Sequence, residues 1–275
     1  MKPFSITESI PAAFENVNRA PMVVIGGAVL AFGINALGQC GGRVSGSMGD
    51  LASTAGDVQG LDPEVLIALL TAMAAGIALS CGLGVLVWIA QTWLVAGHLR
   101  VAREVVTGGD GAFPTLFSGR DVLFRLLLLG LLVGMVNFGT FTLAGLPSAP
   151  FFYWAVEAVI AGDIQTFQLW MLAGLVVLAV ITVPIATYVW AGVRLATYAV
   201  ALDGMGVMES LEHSWSLADG KRIRMVNFAF VNALFGALGL LACCVGVVYT
   251  GTVAQVAWVD AYLRVTGKLG DSVET

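Results

Sequence analysis

Charge is what this 275-residue sequence has least of: only 11% of its residues are Asp, Glu, Lys or Arg, against roughly 25% in soluble globular domains. With 58% apolar residues and a mean hydropathy of +0.90, the chain has too little polar surface for a soluble domain of its length. Its net charge is −5 and it contains no Lys/Arg-rich run, so nothing in it suits a nucleic-acid partner. There are two histidines and four cysteines. His98 and His213 are far apart, and neither has a carboxylate or cysteine at ligand spacing. Neither a metal site nor a Ser-His or Cys-His catalytic arrangement can be assembled from them, so no catalytic residue, metal or cofactor is expected. Gly108-Gly109-Asp110-Gly111 has no neighbouring lysine and reads as a turn, not as a phosphate loop. Met1-Lys2-Pro3-Phe4-Ser5 leads into no apolar h-region before Pro21, and the expectation is that no signal peptide is removed.

Long apolar runs are abundant. A bilayer core about 30 Å thick takes roughly 20 residues as helix, and six stretches qualify: 21–39, 65–97, 122–145, 167–202, 225–244 and 247–263. Backbone groups cannot stay unpaired in lipid, so all six are expected to be helical. The fold class is therefore all-α, a single polytopic membrane domain over 1–275. The second and fourth stretches exceed the bilayer and should project beyond it. Val245-Gly246 is the expected turn between the last two.

All of the 13 basic residues except Arg43 fall on one side of these spans. The positive-inside rule makes that side cytoplasmic, with both termini inside. On the outer side, residues 41–61 form a small and polar loop, and Asp62-Pro63-Glu64 has the form of an N-cap with proline at the first helical position. The other outer connection carries Phe151, Phe152, Tyr153 and Trp154, expected in a short interfacial helix capped by Ser148. The same cluster is a candidate docking surface for a partner helix or lipid.

A threefold pattern runs through the chain. A short amphipathic segment with an aromatic residue, followed by basic residues, precedes each odd-numbered span: Glu8 to Phe14, Ala112 to Phe117, and Glu209 to Trp215. Phe14, Phe117 and Trp215 lie 103 and 98 residues apart. The even spans echo one another in Ala96-Gly97-His98-Leu99-Arg100-Val101-Ala102 and Ala191-Gly192-Val193-Arg194-Leu195-Ala196-Thr197, and more loosely in Ala257 to Arg264. The unit is an interfacial helix followed by a transmembrane hairpin, used three times. Ile6, Ile10, Phe14 and Val17 share one helical face, as do Met208, Leu211 and Trp215.

Ionisable residues within or beside the spans are few: Glu157 in the outer aromatic segment, Arg194 in the projecting part of the fourth span and Asp260 near the inner end of the sixth. Gly130 and Gly134, and Gly38 and Gly42, have the small-xxx-small spacing of close helix contacts. Asn35, Gln91, Asn137 and Asn232 would be the polar lining if a pore existed. Pro184 interrupts the fourth span and should kink it.

Gly109-Asp110-Gly111-Ala112-Phe113-Pro114-Thr115-Leu116-Phe117, Leu211-Glu212-His213-Ser214-Trp215-Ser216-Leu217 before Gly220, and the Gly246 to Gly251 segment followed by Ala261-Tyr262 together resemble a broad group of bacterial six-span membrane proteins of unknown function. That group includes the membrane domain of some glycerophosphodiester phosphodiesterases. Their phosphodiesterase activity belongs to a separate soluble domain, so the resemblance implies architecture and a bacterial inner membrane but transfers no active site. The resulting expectation is a non-catalytic subunit or scaffold, surrounded by the lipid bilayer and assembling with itself or with other membrane proteins. The competing expectation is a channel or transporter for a small solute or lipid. An intramembrane enzyme is a third, announced by no motif.

Cys40 ends the first span and Cys243-Cys244 end the fifth, on the same outer side. In an oxidising exterior Cys40 can bridge to one of the pair. A bridged chain would give two free thiols to a label without reductant and all four with it. Three or four without reductant would end the idea.

Overall fold

In the computed structural model, residues 6–30, 33, 63–241 and 243–269 are described. Every described element is helical. The chain opens with α1 (Ile6–Arg19) and α2 (Pro21–Leu30). It continues as α3 (Pro63–Val106), a 3-10 helix (Phe113–Asp121) and α4 (Leu123–Gly145). A 3-10 turn at Leu146–Ser148 leads to α5 (Ala149–Ile160) and then α6 (Ile164–Val177). The π-helical Leu178–Thr182 joins α6 to α7 (Val183–Val193), and α8 (Ala196–Asp203) follows. The last three helices are α9 (Val207–Ala218), α10 (Arg222–Leu241) and α11 (Cys243–Val265).

Among the described residues, three helical runs are long and apolar enough to cross a membrane: Ala74–Val106, Leu123–Ile160 and Ile164–Asp203. These correspond to the second, third and fourth expected spans. Of the first, α2 is a shorter apolar helix, and residues 34–39 lie outside the described residues. The fifth and sixth fall in helices of 20 and 23 residues, both of which run over side chains outside the described residues.

Several boundaries differ from the sequence reading. α3 is one helix of 44 residues, about 66 Å at 1.5 Å per residue, and it continues past Gly97 through His98, Arg100 and Arg103. Val245-Gly246 lies within helical α11 rather than in a turn, and residue 242, between α10 and α11, lies outside the described residues. A Cβ on Gly239 would lie 2.8 Å from the Gly246 carbonyl oxygen, so the two helices cross backbone against backbone there. Pro184 is accommodated by the π-helical turn just before it, which relaxes the clash between the proline ring and the preceding turn. Thr182 in that turn donates to the Ala144 carbonyl and ties α7 to the end of α4. Ser148 does not cap α5; its hydroxyl donates backward to the Gly145 carbonyl. The N-cap on this side is Asp163, which accepts from the amide and hydroxyl of Thr166 at the start of α6. These bonds hold the Asp163 carboxyl below the usual carboxylate range.

The three echoing segments meet. The buried core is built from Ala96, Leu99, Val101 and Ala102 of α3, from Ala191, Leu195, Ala196 and Val200 of α7 and α8, and from Val256, Ala257, Val259 and Tyr262 of α11. Small residues let these ends approach closely, and the rings of Tyr198 and Tyr262 stack at 5.9 Å. Packing is concentrated at this end of the molecule; the opposite halves of α3 and α4 are largely exposed.

The amphipathic segments close a ring around that core. Each packs chiefly on the even span of the preceding unit: the 3-10 helix on α3, α9 on α7 and α8, and α1 on α11. The last contact joins the two ends of the chain. Arg264 pairs with Glu8 at 2.7 Å and with Asp260 at 2.8 Å, and the Tyr249 hydroxyl donates to Asn18. On α1 the expected face is buried at Ile10 and Val17 and half-buried at Phe14, with Ala13 added; the Ile6 side chain lies outside the described residues. On α9 Ser210, Ser214 and Leu217 are buried and Leu211 packs half-buried against the core, while Met208 and Trp215 are exposed.

The carbonyl end of α8 gathers cations from three other elements. Arg100 Nε donates to Ala201, Arg103 to Leu202 and Arg125 to Gly204. Asp203 accepts from the Tyr262 hydroxyl and pairs with Lys268. Gly204 closes the helix at a left-handed φ of 66°.

Gly97 and Gly192 occupy matching positions in the echo and do the same work. A Cβ on Gly97 would overlap the Leu116 carbonyl, and one on Gly192 would overlap the Trp215 ring. Gly97→Ala should therefore destabilise the chain by about 1–3 kcal/mol through overpacking against backbone. Gly134→Ala, where no described atom lies within 4 Å, should stay within about 0.5 kcal/mol of the parent or gain slightly. Thermal unfolding of the two variants in detergent reads the difference, and equal midpoints would contradict the packing.

Candidate functional site

A cavity of about 650 Å3 lies between α4, α7, α9 and α10. Leu132, Val133 and Val136 of α4 and Val193 of α7 make it apolar. Its polar edge comes from Glu212, Ser216, Asp219 and Arg222. Two contacts position α9 over it: Ser214 donates to the Gly192 carbonyl at 2.7 Å, and the Trp215 ring lies across Gly192. At the start of α9, Glu209 accepts from the Gly206 amide at 3.2 Å, one half of a capping box.

Arg222 dominates this site. Its guanidinium sits 4.0 Å from the centre of the Tyr188 ring and 3.9 Å from that of Trp215. Such stacking contributes about 2 kcal/mol or more when desolvated. The side chain is only 8% exposed, and neither Nε nor Nη1 has a hydrogen-bond partner. A buried donor left unmade costs about 1–3 kcal/mol, more when charged. Neither Glu212 nor Asp219 forms an ion pair among the described residues, although Asp219 accepts from the Gly220 amide.

Two other cations are held differently. Arg194 lies 5.4–5.9 Å from the centres of Trp190, Tyr198 and Trp258 and is enclosed in the core. Arg100 spans elements: besides Ala201 it donates to the Ser118 carbonyl at 2.6 Å and to Asp121 at 2.8 Å. His98 is buried where Gly27 of α2 and Leu116 come together; a Cβ on Gly27 would be 2.8 Å from both side chains. Neither ring nitrogen of His98 has a hydrogen-bond partner.

The residues singled out from sequence fall in separate places. Gly130 faces Trp88 of α3, whose ring carbon would lie 3.4 Å from an added Cβ, whereas Gly134 faces open space. Gly38, Gly42, Asn35 and Cys40 lie outside the described residues, as do the side chains of Cys243 and Cys244; Cys81 is exposed. Gln91 lines a cavity of about 250 Å3 between α3 and α4, together with Trp88, Thr92 and Thr197. Asn232 is buried and donates to the Phe228 carbonyl of its own helix. Asn137 is half-buried on α4 and does not line that cavity. The structure thus does not bring Gln91, Asn137 and Asn232 to one surface. The aromatic cluster folds against its own chain: Phe151 meets Trp154 edge-on, and Trp154 lies 4.8 Å from Trp170 of α6. Tyr153 and part of Trp154 remain exposed.

The Arg222 pocket was not foreseen from sequence. Trp215 and Arg222 both stood out there, one as a repeat marker and the other as a topological charge. Their meeting depends on Tyr188, a residue of another span. Comparison of the chain with protein families, with curated proteins and with solved structures finds no match.

The Arg100 contact holds the Asp121 carboxyl below the usual carboxylate range. A carboxyl with a lowered folded-state pKa adds stability above its unfolded pKa and loses it as pH falls through the folded one. The Asp121 side chain is 64% exposed, so solvent screens the pair to about 1 kcal/mol or less. Asp121→Asn should cost that much at neutral pH, with the gap to the parent closing as pH falls below the carboxylate range. A pH series of thermal midpoints checks this; a gap that persists at acid pH would contradict it.

Proposed function

We propose that this chain is a non-catalytic integral protein of the bacterial inner membrane that serves as a structural or accessory subunit of a homo- or hetero-oligomeric membrane assembly. In this reading it has six spans as three hairpins, each preceded by an interfacial helix, with both termini in the cytoplasm. The charge distribution supports the orientation, and the resemblance to the six-span bacterial group agrees with the architecture. The observation that carries the assembly reading is on α4. Gly130 is filled by Trp88 of the same chain, while Gly134, one turn on, has no described atom within 4 Å and is flanked by exposed Met135 and Phe138. A glycine between large apolar side chains offers a groove into which another helix can pack closely.

A second reading, handling of a lipid or small solute, is favoured by the 650 Å3 cavity with its buried guanidinium. Flux across liposomes containing only this chain is its readout.

Native mass spectrometry after gentle detergent extraction tests the first reading. The expected result is a stoichiometric assembly that survives salt and is lost in Gly134→Leu, with the variant chain still folded. A monomer for the parent chain would overturn it.

A further inference from the structure

We infer that the pocket between α4, α7, α9 and α10 binds the headgroup of a zwitterionic amphiphile that carries a phosphate and a primary ammonium on an apolar tail. The inference rests on the second reading above, that the chain handles an amphiphile, and names the ligand.

The chemistry follows from Arg222. Tyr188 and Trp215, nearly perpendicular to each other, crowd two sides of its guanidinium and leave its N–H bonds to hold a guest. Two of its nitrogens are unbonded in a side chain that is more than nine-tenths buried. A guest oxygen bearing negative charge matches them, because charge-assisted bonds from guanidinium to phosphate are among the strongest available. Arg222 also opens α10, whose first-turn amides add partial positive charge.

A simple anion does not fit the rest of the lining. Glu212 and Asp219 share the pocket with Arg222 and would repel it. A guest with a positive group beside its negative one satisfies all three. The positive group must donate hydrogen bonds to carboxylates. A quaternary ammonium cannot do so, and the rings that would cage one are already filled by Arg222. The remaining wall, Leu132, Val133 and Val136, lies on a helix apolar enough to cross a membrane. It gives the tail a path from the headgroup toward the hydrocarbon.

The test uses the full chain, purified and stripped of lipid in detergent, with Trp fluorescence as the binding signal. The probes are dihexanoyl lipids with ethanolamine, choline or glycerol headgroups, and inorganic phosphate. The ethanolamine lipid should bind roughly three- to tenfold more tightly than the other two, and inorganic phosphate at least about tenfold more weakly than any lipid. Glu212→Gln with Asp219→Asn, both at exposed positions, should erase the headgroup preference and leave the glycerol lipid bound as well or better. Arg222→Gln should abolish binding of all lipids. Because Arg222 is packed into the structure, Val136→Trp provides an independent block: it fills the apolar wall from an exposed position and should also abolish lipid binding. Equal affinity for the three lipids would overturn the headgroup assignment and leave the amphiphile reading standing. Inorganic phosphate binding as tightly as the lipids, or no binding by any probe, would overturn both.

Discussion

The carbonyl end of α8 is the point to which most of this molecule is tied. A helix end leaves carbonyls without intrahelical partners, and burying them unpaired is costly. Here Arg100 and Arg103 of α3 and Arg125 of α4 supply the donors, while Asp203 takes the Tyr262 hydroxyl and Lys268. The arginines also place positive charge against the negative end of the helix dipole. Bonds of this charged kind contribute about 1.5–3 kcal/mol each. One terminus thereby fixes α3, α4 and α11 relative to α8, and the small residues of the echoing segments fill the space between them. The position of the Arg222 pocket follows as well, since α7 and α9 flank α8 in the chain.

The sequence is informative about the units and quiet about how they are joined. The six apolar runs, the amphipathic segments and the echoes could be read because each repeats a pattern within a few turns. The echoes mark what later becomes the buried core: Gly97 and Gly192 are small because another element crosses them, Leu116 in one case and Trp215 in the other. The role of Arg100, Arg103 and Arg125 could not be read that way. Counted along the chain they are topological charges; in space they cap a helix whose end lies about a hundred residues away for the first two. The packing face of α9 is hard to read for a related reason. Ser210 and Ser214 look polar, yet their hydroxyls are spent on the Val207 and Gly192 carbonyls and their small size permits close packing. Pro184 announced a distortion, but the choice of a π-helical turn over a simple kink depends on Thr182 reaching α4.

The molecule is packed firmly at its basic end and loosely at the other. A transport path along the central axis would have to pass Leu99, Leu195 and Tyr262, all buried in contact with the core. The open features lie off that axis, in the groove at Gly134 and in the pocket beside Arg222. Both are lateral, facing the surroundings of the bundle rather than its middle.

The ring of amphipathic segments closes through α1 and α11, whose contacts join Glu8 to Arg264 and Asn18 to Tyr249 across 256 and 231 residues. During synthesis the other two segments find their supporting helices almost at once, because α3 precedes the 3-10 helix and α7 and α8 precede α9. The first segment alone is made before its support. Until α11 emerges, the apolar face of α1 lacks its main packing partner in the chain. Closure of this ring is thus governed by the last helix: without α11, Glu8 and Asn18 lose Arg264 and Tyr249 and the ring stays open.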